Sequence, residues 1–239
     1  MSGNLSETLL RLSNLAAGYG RQEVIRDVSF GVGRREIVAL LGHNGAGKTT
    51  ILKSIIGLKR QLRGEICFDG EQVATLPVAA RIDRGLRLLP EGRGIFRTMT
   101  VEENVHVIAE SSAGNGEASF GWDDIVALFP ILKEKRNQPA GQLSGGQQQM
   151  LAVSLCLLGN PRCILLDEPS IGLAPAVVES IFAVVRDQCR ASGVSALIVE
   201  QNVNAVLEIA DRVVVINNGS ISLDIPVAEG RDIDFWKYF

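Results

Sequence analysis

Cysteine and histidine are scarce in this chain of 239 residues, and what they cannot form narrows the chemistry at once. The four cysteines, Cys67, Cys156, Cys163 and Cys189, make no Cys-x-x-Cys pair, and only His43 and His106 could join them in a metal site. Buried free thiols are expected instead. No apolar run is of membrane length either: the longest, Met150 to Leu158, is about half of the roughly 20 residues a span requires. An excess of positive charge is missing too. Lys+Arg 24 against Asp+Glu 27 leaves a net charge of -3, which is no surface for nucleic acid, so any phosphate must be held locally. Met1 to Leu10 lacks a basic run leading into a long apolar segment, so no secretory signal is expected and the cytoplasm is the default location.

What is present suits a folded domain. With 46% hydrophobic and 21% charged residues the chain lies far from the disordered class and can bury a substantial core. Its length suggests one domain over 1–239 with an inserted lobe. Leu9 to Leu15 and Glu36 to Leu41 read as strands, and Ile51, Leu52, Ile55 and Ile56 recur at helical spacing up to Gly57. Glu65 to Phe68, Asp69-Gly70 and Glu71 to Val73 read as a hairpin, followed by a short helix opened by Pro77 and a strand at Leu86 to Leu89. The texture turns polar and helical between Glu91 and Asn160, with a soft segment at Ser111 to Gly116, which marks 91–160 as the inserted lobe. Thr100 with Glu103 and Ser144 with Gln147 have capping-box spacing. Cys163 to Leu166 is a buried-strand pattern, Pro175 opens a helix closed by Gly193, and strands at Val194 to Val199 and Arg212 to Ile216 flank a helix from about Val203 to Ala210. Alternating strands and helices predict an α/β fold with a mainly parallel sheet covered on both faces.

Three segments carry chemistry. The first is Gly42-His43-Asn44-Gly45-Ala46-Gly47-Lys48-Thr49-Thr50, a P-loop set between a strand and a helix, whose backbone N–H groups can wrap phosphates. Lys48 would reach the β and γ phosphates and Thr49 would ligate Mg²⁺. The second is Asp167-Glu168 after a buried strand: one carboxylate for the outer shell of Mg²⁺, the other to polarise an attacking water. The third, Leu143-Ser144-Gly145-Gly146-Gln147, offers a hydroxyl, two close-approach glycines and the positive end of a helix to an anion.

In this order the three segments resemble the ATP-binding cassette family, and the resemblance runs from about Leu9 to Leu223. It implies a P-loop NTPase fold of the cassette type: a mainly parallel core sheet in 1–90 and 161–223, an antiparallel β part, an inserted α-helical subdomain at 91–160 and a tail at 224–239. It implies ATP and Mg²⁺ as ligands. Two cassettes would pair head to tail, so that Ser144, Gly145, Gly146 and Gln147 meet the ATP on the partner's P-loop. Tyr19 falls where the family stacks an aromatic on adenine, with Val24 beside it; a partly buried strand-end tyrosine is the other reading. Ser170-Ile171-Gly172-Leu173 resembles the family's D-loop, which couples the two sites.

Two positions depart from the general pattern. Glu91, in Leu89-Pro90-Glu91-Gly92-Arg93, stands where most cassettes have glutamine; a carboxylate there can still ligate Mg²⁺ but repels the γ phosphate. Gln201, in Val199-Glu200-Gln201-Asn202, stands where most have histidine, and it can hydrogen-bond a phosphate without carrying a proton's charge. With Met99 to Asn104 and Leu173-Ala174-Pro175, these marks resemble one ATP-binding subunit of branched-chain amino acid importers. That resemblance implies a second cassette subunit as partner in a heterodimer (a homodimer is the alternative), two integral membrane permease subunits, an extracytoplasmic solute-binding protein acting indirectly, no nucleic acid, and a place on the inner face of the cell membrane. Ile95, Phe96 and Met99 are either the contact to the permease or core. A nucleotide-gated regulatory module with little hydrolysis, kept open by Gln201, is the competing function, and another solute the competing cargo.

Overall fold

The computed structural model describes residues 8–20, 22–111, 120–230 and 233–238. In chain order its first half contains β1 (Thr8–Tyr19), β2 (Gln22–Gly33), β3 (Ile37–Leu41), α1 (Lys48–Ile56), β4 (Gln61–Phe68), β5 (Glu71–Gln72), α2 (Val78–Asp83) and β6 (Leu86–Leu89). Then come α3 (Val101–Ser111), α4 (Trp122–Leu128), α5 (Ile131–Glu134), α6 (Gly145–Leu157), β7 (Cys163–Asp167), α7 (Pro175–Ser192), β8 (Ser195–Glu200), α8 (Val203–Leu207), β9 (Arg212–Asn217) and β10 (Ser220–Pro226).

Six strands form the central sheet in the order β10-β9-β3-β8-β7-β6, parallel except for the β10 edge. Alternate side chains of its strands enter two separate cores. Ile37, Ala39 and Leu41 of β3, with Ala196 and Ile198 of β8, face the helical lobe and α7. Val38 and Leu40, with Leu197 and Val199, face α1 and the second sheet. Burial on both faces explains why these strands read as continuous apolar runs. The second sheet is antiparallel, ordered β2-β1-β4-β5, and covers α1 from the other side.

The expected α/β architecture with an antiparallel part and a helical insertion is present. Several expected boundaries move. The first strand runs on to Tyr19, the strand expected at Val194 to Val199 lies one residue later, and the helix expected to reach Ala210 ends at Leu207, where the Val206 carbonyl accepts from the N–H groups of both Ile209 and Ala210. Strands β2 and β10 and helices α4 and α5 had no counterpart in the sequence reading, and β10 crosses the expected start of the tail at 224. Asp69 and Gly70 both have positive φ, 52° and 80°, as a two-residue hairpin turn requires. Of the soft segment Ser111 to Gly116, residues 112–116 lie outside the described residues.

Candidate functional site

The parallel register aligns Leu41 with Glu200, Asp167 with Val199 and Leu89 with Leu166. The segments following β3, β6, β7 and β8 therefore leave the sheet at one edge, its carboxyl ends, where open α/β sheets bind ligands. A cavity of about 490 Å³ lies there. Its walls bring together Tyr19, Val24, Asn44, Gly45, Gly47, Lys48, Thr49 and Thr50 with Glu91, Glu168 and Gln201, all expected from sequence, and add Ile171, which was expected only as part of the D-loop.

The loop after β3 needs its glycines. At Gly42, φ is 157° and a Cβ would lie 2.4 Å from the Ile216 carbonyl oxygen; at Gly47, φ is 112° and a Cβ would lie 2.4 Å from Ile25 Cγ2. No side chain caps α1, so its first N–H groups remain available to an anion. Lys48 is 4% exposed, and its Nζ donates to the carbonyls of Gly42 (2.7 Å) and His43 (3.0 Å), which aims the ammonium back over the loop. Burial lowers its pKa against the pull of Glu168, Asp167 and Glu200. Ala46 is buried behind the loop and His43 is exposed on it.

Asp167 and Glu168 are placed differently. Asp167 is buried and accepts a hydrogen bond from Thr49 Oγ1 at 3.0 Å. Its pKa is pushed up to about 6, mainly by burial, and further by the charges of Glu168 and Glu91. Glu168 adopts φ 51° and turns its carboxylate toward the cavity, where Oε1 accepts from Gln201 Nε2 at 2.7 Å and lies 3.9 Å from Lys48 Nζ. Tyr19 ends β1 with 53% of its surface exposed, and the Lys59 ammonium sits 3.8 Å from its ring centroid.

Ser144, Gly145, Gly146 and Gln147 do not line this cavity. They open α6, where Ser144 Oγ accepts from the Gln147 N–H (3.3 Å) and Gln147 Oε1 accepts from the Ser144 N–H (3.0 Å), the expected capping box. Arg93, named above only as part of the Glu91 loop, has a structural role that its sequence does not announce. Its guanidinium donates to Gln148 Oε1 at 2.6 Å, and Gln148 Nε2 in turn holds the Leu143 carbonyl, so the Glu91 loop is tied to the start of α6. Only the positions of arginine two residues after Glu91 and glutamine one residue after the capping box hinted at this.

The family model for ABC transporters matches residues 25–171. The chain belongs to the ABC transporter family. This cassette is 40% identical over 213 residues to the high-affinity branched-chain amino acid transport ATP-binding protein BraG of Pseudomonas aeruginosa, covering 89% of this chain and 91% of the relative. It is 37% identical over 217 residues to the lipopolysaccharide export system ATP-binding protein LptB of Haemophilus influenzae, covering 90% and 89%. A solved structure of an ATP-binding subunit of an ABC transporter superposes with a TM-score of 0.82 at 30% identity, covering 94% of this chain and 92% of that one. The cassette is an ATP-binding subunit and an ATPase of this family. Among the described residues no helix is long and apolar enough to cross a membrane.

The site fits ATP with Mg²⁺. No group of three or more His, Cys, Asp or Glu side chains among the described residues could hold a metal alone. A threonine hydroxyl hydrogen-bonded to a buried carboxylate beside a phosphate-binding loop is a donor set for a hard cation that shares its coordination with phosphate oxygens.

Proposed function

We propose that this cassette powers uptake of branched-chain or related amino acids, or amide-like solutes, working on the cytoplasmic face of the membrane. Its partners in this reading are two permease subunits and a second, different cassette, with a solute-binding protein outside. The observation that carries it is the site's pair of departures, Glu91 and Gln201, both on the cavity wall of a chain 40% identical to a branched-chain amino acid transport subunit.

In this reading the N–H groups at the start of α1 and the Lys48 ammonium hold the phosphates, Tyr19 and Val24 receive the base, and Thr49, Asp167 and Glu91 hold Mg²⁺. The metal supplies charge neutralisation at the β and γ phosphates. Glu168 accepts the proton of the attacking water, and Gln201, donating to the same carboxylate, fixes which oxygen faces the water. Ser144 to Gln147 serve the site of the partner cassette, which accounts for their absence from the cavity of their own chain. The exposed Phe96, in the loop that Arg93 ties to α6, is the residue of the expected trio offered to a permease helix; Ile95 packs against the core.

Co-purification from the native membrane with this chain as bait, in ATP and Mg²⁺, tests the proposal. Two integral membrane proteins and a second cassette are the expected yield, and knocking out their genes should abolish uptake of one amino acid class. Recovery of a lipopolysaccharide export assembly, the system for which another relative is named, would overturn it.

A further inference from the structure

One buried acid near the site has no part in the chemistry above. Glu200 ends β8 and is 2% exposed, and among the described residues no salt bridge pairs it, though the buried Lys48 ammonium feels its charge. Its carboxylate is satisfied by four donors instead. Oε1 accepts from the Ser170 N–H at 2.8 Å; Oε2 accepts from Ser170 Oγ at 2.8 Å, from the Gln201 N–H at 3.1 Å and from the Asn202 N–H at 3.3 Å. Burial raises its pKa while these donors lower it. An apolar side chain would fill such a place at less cost, since an ionised carboxyl in the interior is expensive even when hydrogen-bonded.

The donors come from two segments that both bear on Glu168. Ser170 lies two residues beyond it, and Gln201 is the residue whose side chain holds its Oε1. Glu168 itself has φ 51°, a left-handed conformation that costs a residue with a Cβ and persists only where its surroundings impose it. The imposing contacts are visible: the Glu168 N–H donates to the Val199 carbonyl at 2.9 Å on one side, and Glu200 grips Ser170 on the other.

We infer that Glu200 is a positioning residue, which ties the backbone just after Glu168, at Ser170, to the start of the Gln201 loop and so sets the aim of the Glu168 carboxylate and of Gln201. The inference rests on the proposed role of Glu168. It gives the buried acid a task that an apolar residue could not perform, because only an acceptor with two oxygens reaches Ser170 and the start of the Gln201 loop together.

Glu200→Gln keeps the shape but replaces one acceptor oxygen with an NH₂ group, so at least one of the N–H donors faces another donor. In the purified full chain with ATP and Mg²⁺, kcat should fall about 10- to 100-fold, the cost of a misaimed catalytic group, while KM for ATP stays within about twofold. Single-turnover hydrolysis should show no further loss when Glu200→Gln is added to Glu168→Gln, since the clamp then has nothing to aim. Ser170→Ala, which keeps the backbone donor and the packing, should give a smaller fall in kcat, again with KM unchanged, and carries the test if Glu200→Gln does not fold. Wild-type kcat in both variants, or an equal fold-loss with and without Glu168→Gln, would overturn the inference alone. Wild-type turnover in Glu168→Gln would overturn the reading of Glu168 on which it rests.

Discussion

At the scale of the residue, the site shows how far local chemistry can be read before a fold is known. The P-loop residues were legible because a phosphate cradle is a local device: glycines, lysine and threonine at fixed spacing are both the cause and the signature. Glu200, Arg93 and Asn104 were not, since a charged or amide side chain in a sequence reads as surface until the fold buries it. Asn104 is fully buried and accepts from the Phe96 N–H at 2.7 Å while donating to the Phe96 and Thr100 carbonyls, which holds Phe96 outward. Asp167 gives a prediction with a sign. Its folded pKa of about 6 lies above the ordinary 3.8, so the folded state binds the proton more tightly, and stability present at low pH is lost as pH rises from about 4 through 6. The ionised carboxylate is therefore a standing cost of the proposed metal site at neutral pH. Asp167→Asn should stabilise the chain at pH 7.5 by roughly 1–2 kcal/mol, allowing for partial hydration of the site, and should remove that carboxylate's contribution to the pH dependence while abolishing Mg²⁺-dependent hydrolysis. Thermal melts across pH check it; a lower Tm in Asp167→Asn at pH 7.5 would count against the burial argument.

Elements were legible where one face or both faces are apolar without interruption, and lost where pairing is irregular. The helix after Pro175 buries Val178, Ile181, Phe182 and Val185 as its spacing indicates, and ends at Gly193 with φ 75°. By contrast β2 keeps a period of two only from Val28 onward; before it, where the pairing with β1 shifts register between Leu12 and Leu15, between Leu15 and Ala17, and again after Ala17, buried Ile25 and Val28 stand three apart. The end of α1 illustrates a stabilising contact with no local signal. Arg81 of α2, 3% exposed, donates to the Ser54 and Ile55 carbonyls at 2.8 and 2.7 Å, and to those of Leu76 and Ala74, so one guanidinium satisfies the last turn of the P-loop helix and the loop before α2. Arg81→Met keeps much of the volume and leaves the buried Ser54 and Ile55 carbonyls and the part-buried Leu76 and Ala74 carbonyls without this donor. A loss of about 2–4 kcal/mol is expected, which for a domain of this size lowers Tm by roughly 5–15 °C in calorimetry. An unchanged Tm would mean that water takes over the capping.

For the whole molecule, the order of the parts explains the function better than any one of them. A parallel sheet delivers the P-loop, the Glu91 loop, Asp167-Glu168 and Gln201 to one edge, and the Arg93–Gln148 contact carries the Glu91 loop to the start of α6. The Glu91 loop on the cavity wall is thus tied to the helical lobe by Arg93–Gln148, and Phe96 to α3 by Asn104, the arrangement a machine needs if ATP in that cavity is to move a neighbouring subunit. The account stands or falls on Glu168 as the group that takes the proton of water in this cavity. The most direct measurement is steady-state ATP hydrolysis by the full chain and by Glu168→Gln, with ATP binding measured beside it. Loss of kcat by about 100-fold or more with ATP affinity kept is the expected result; turnover within a few-fold of the unsubstituted chain would contradict the account.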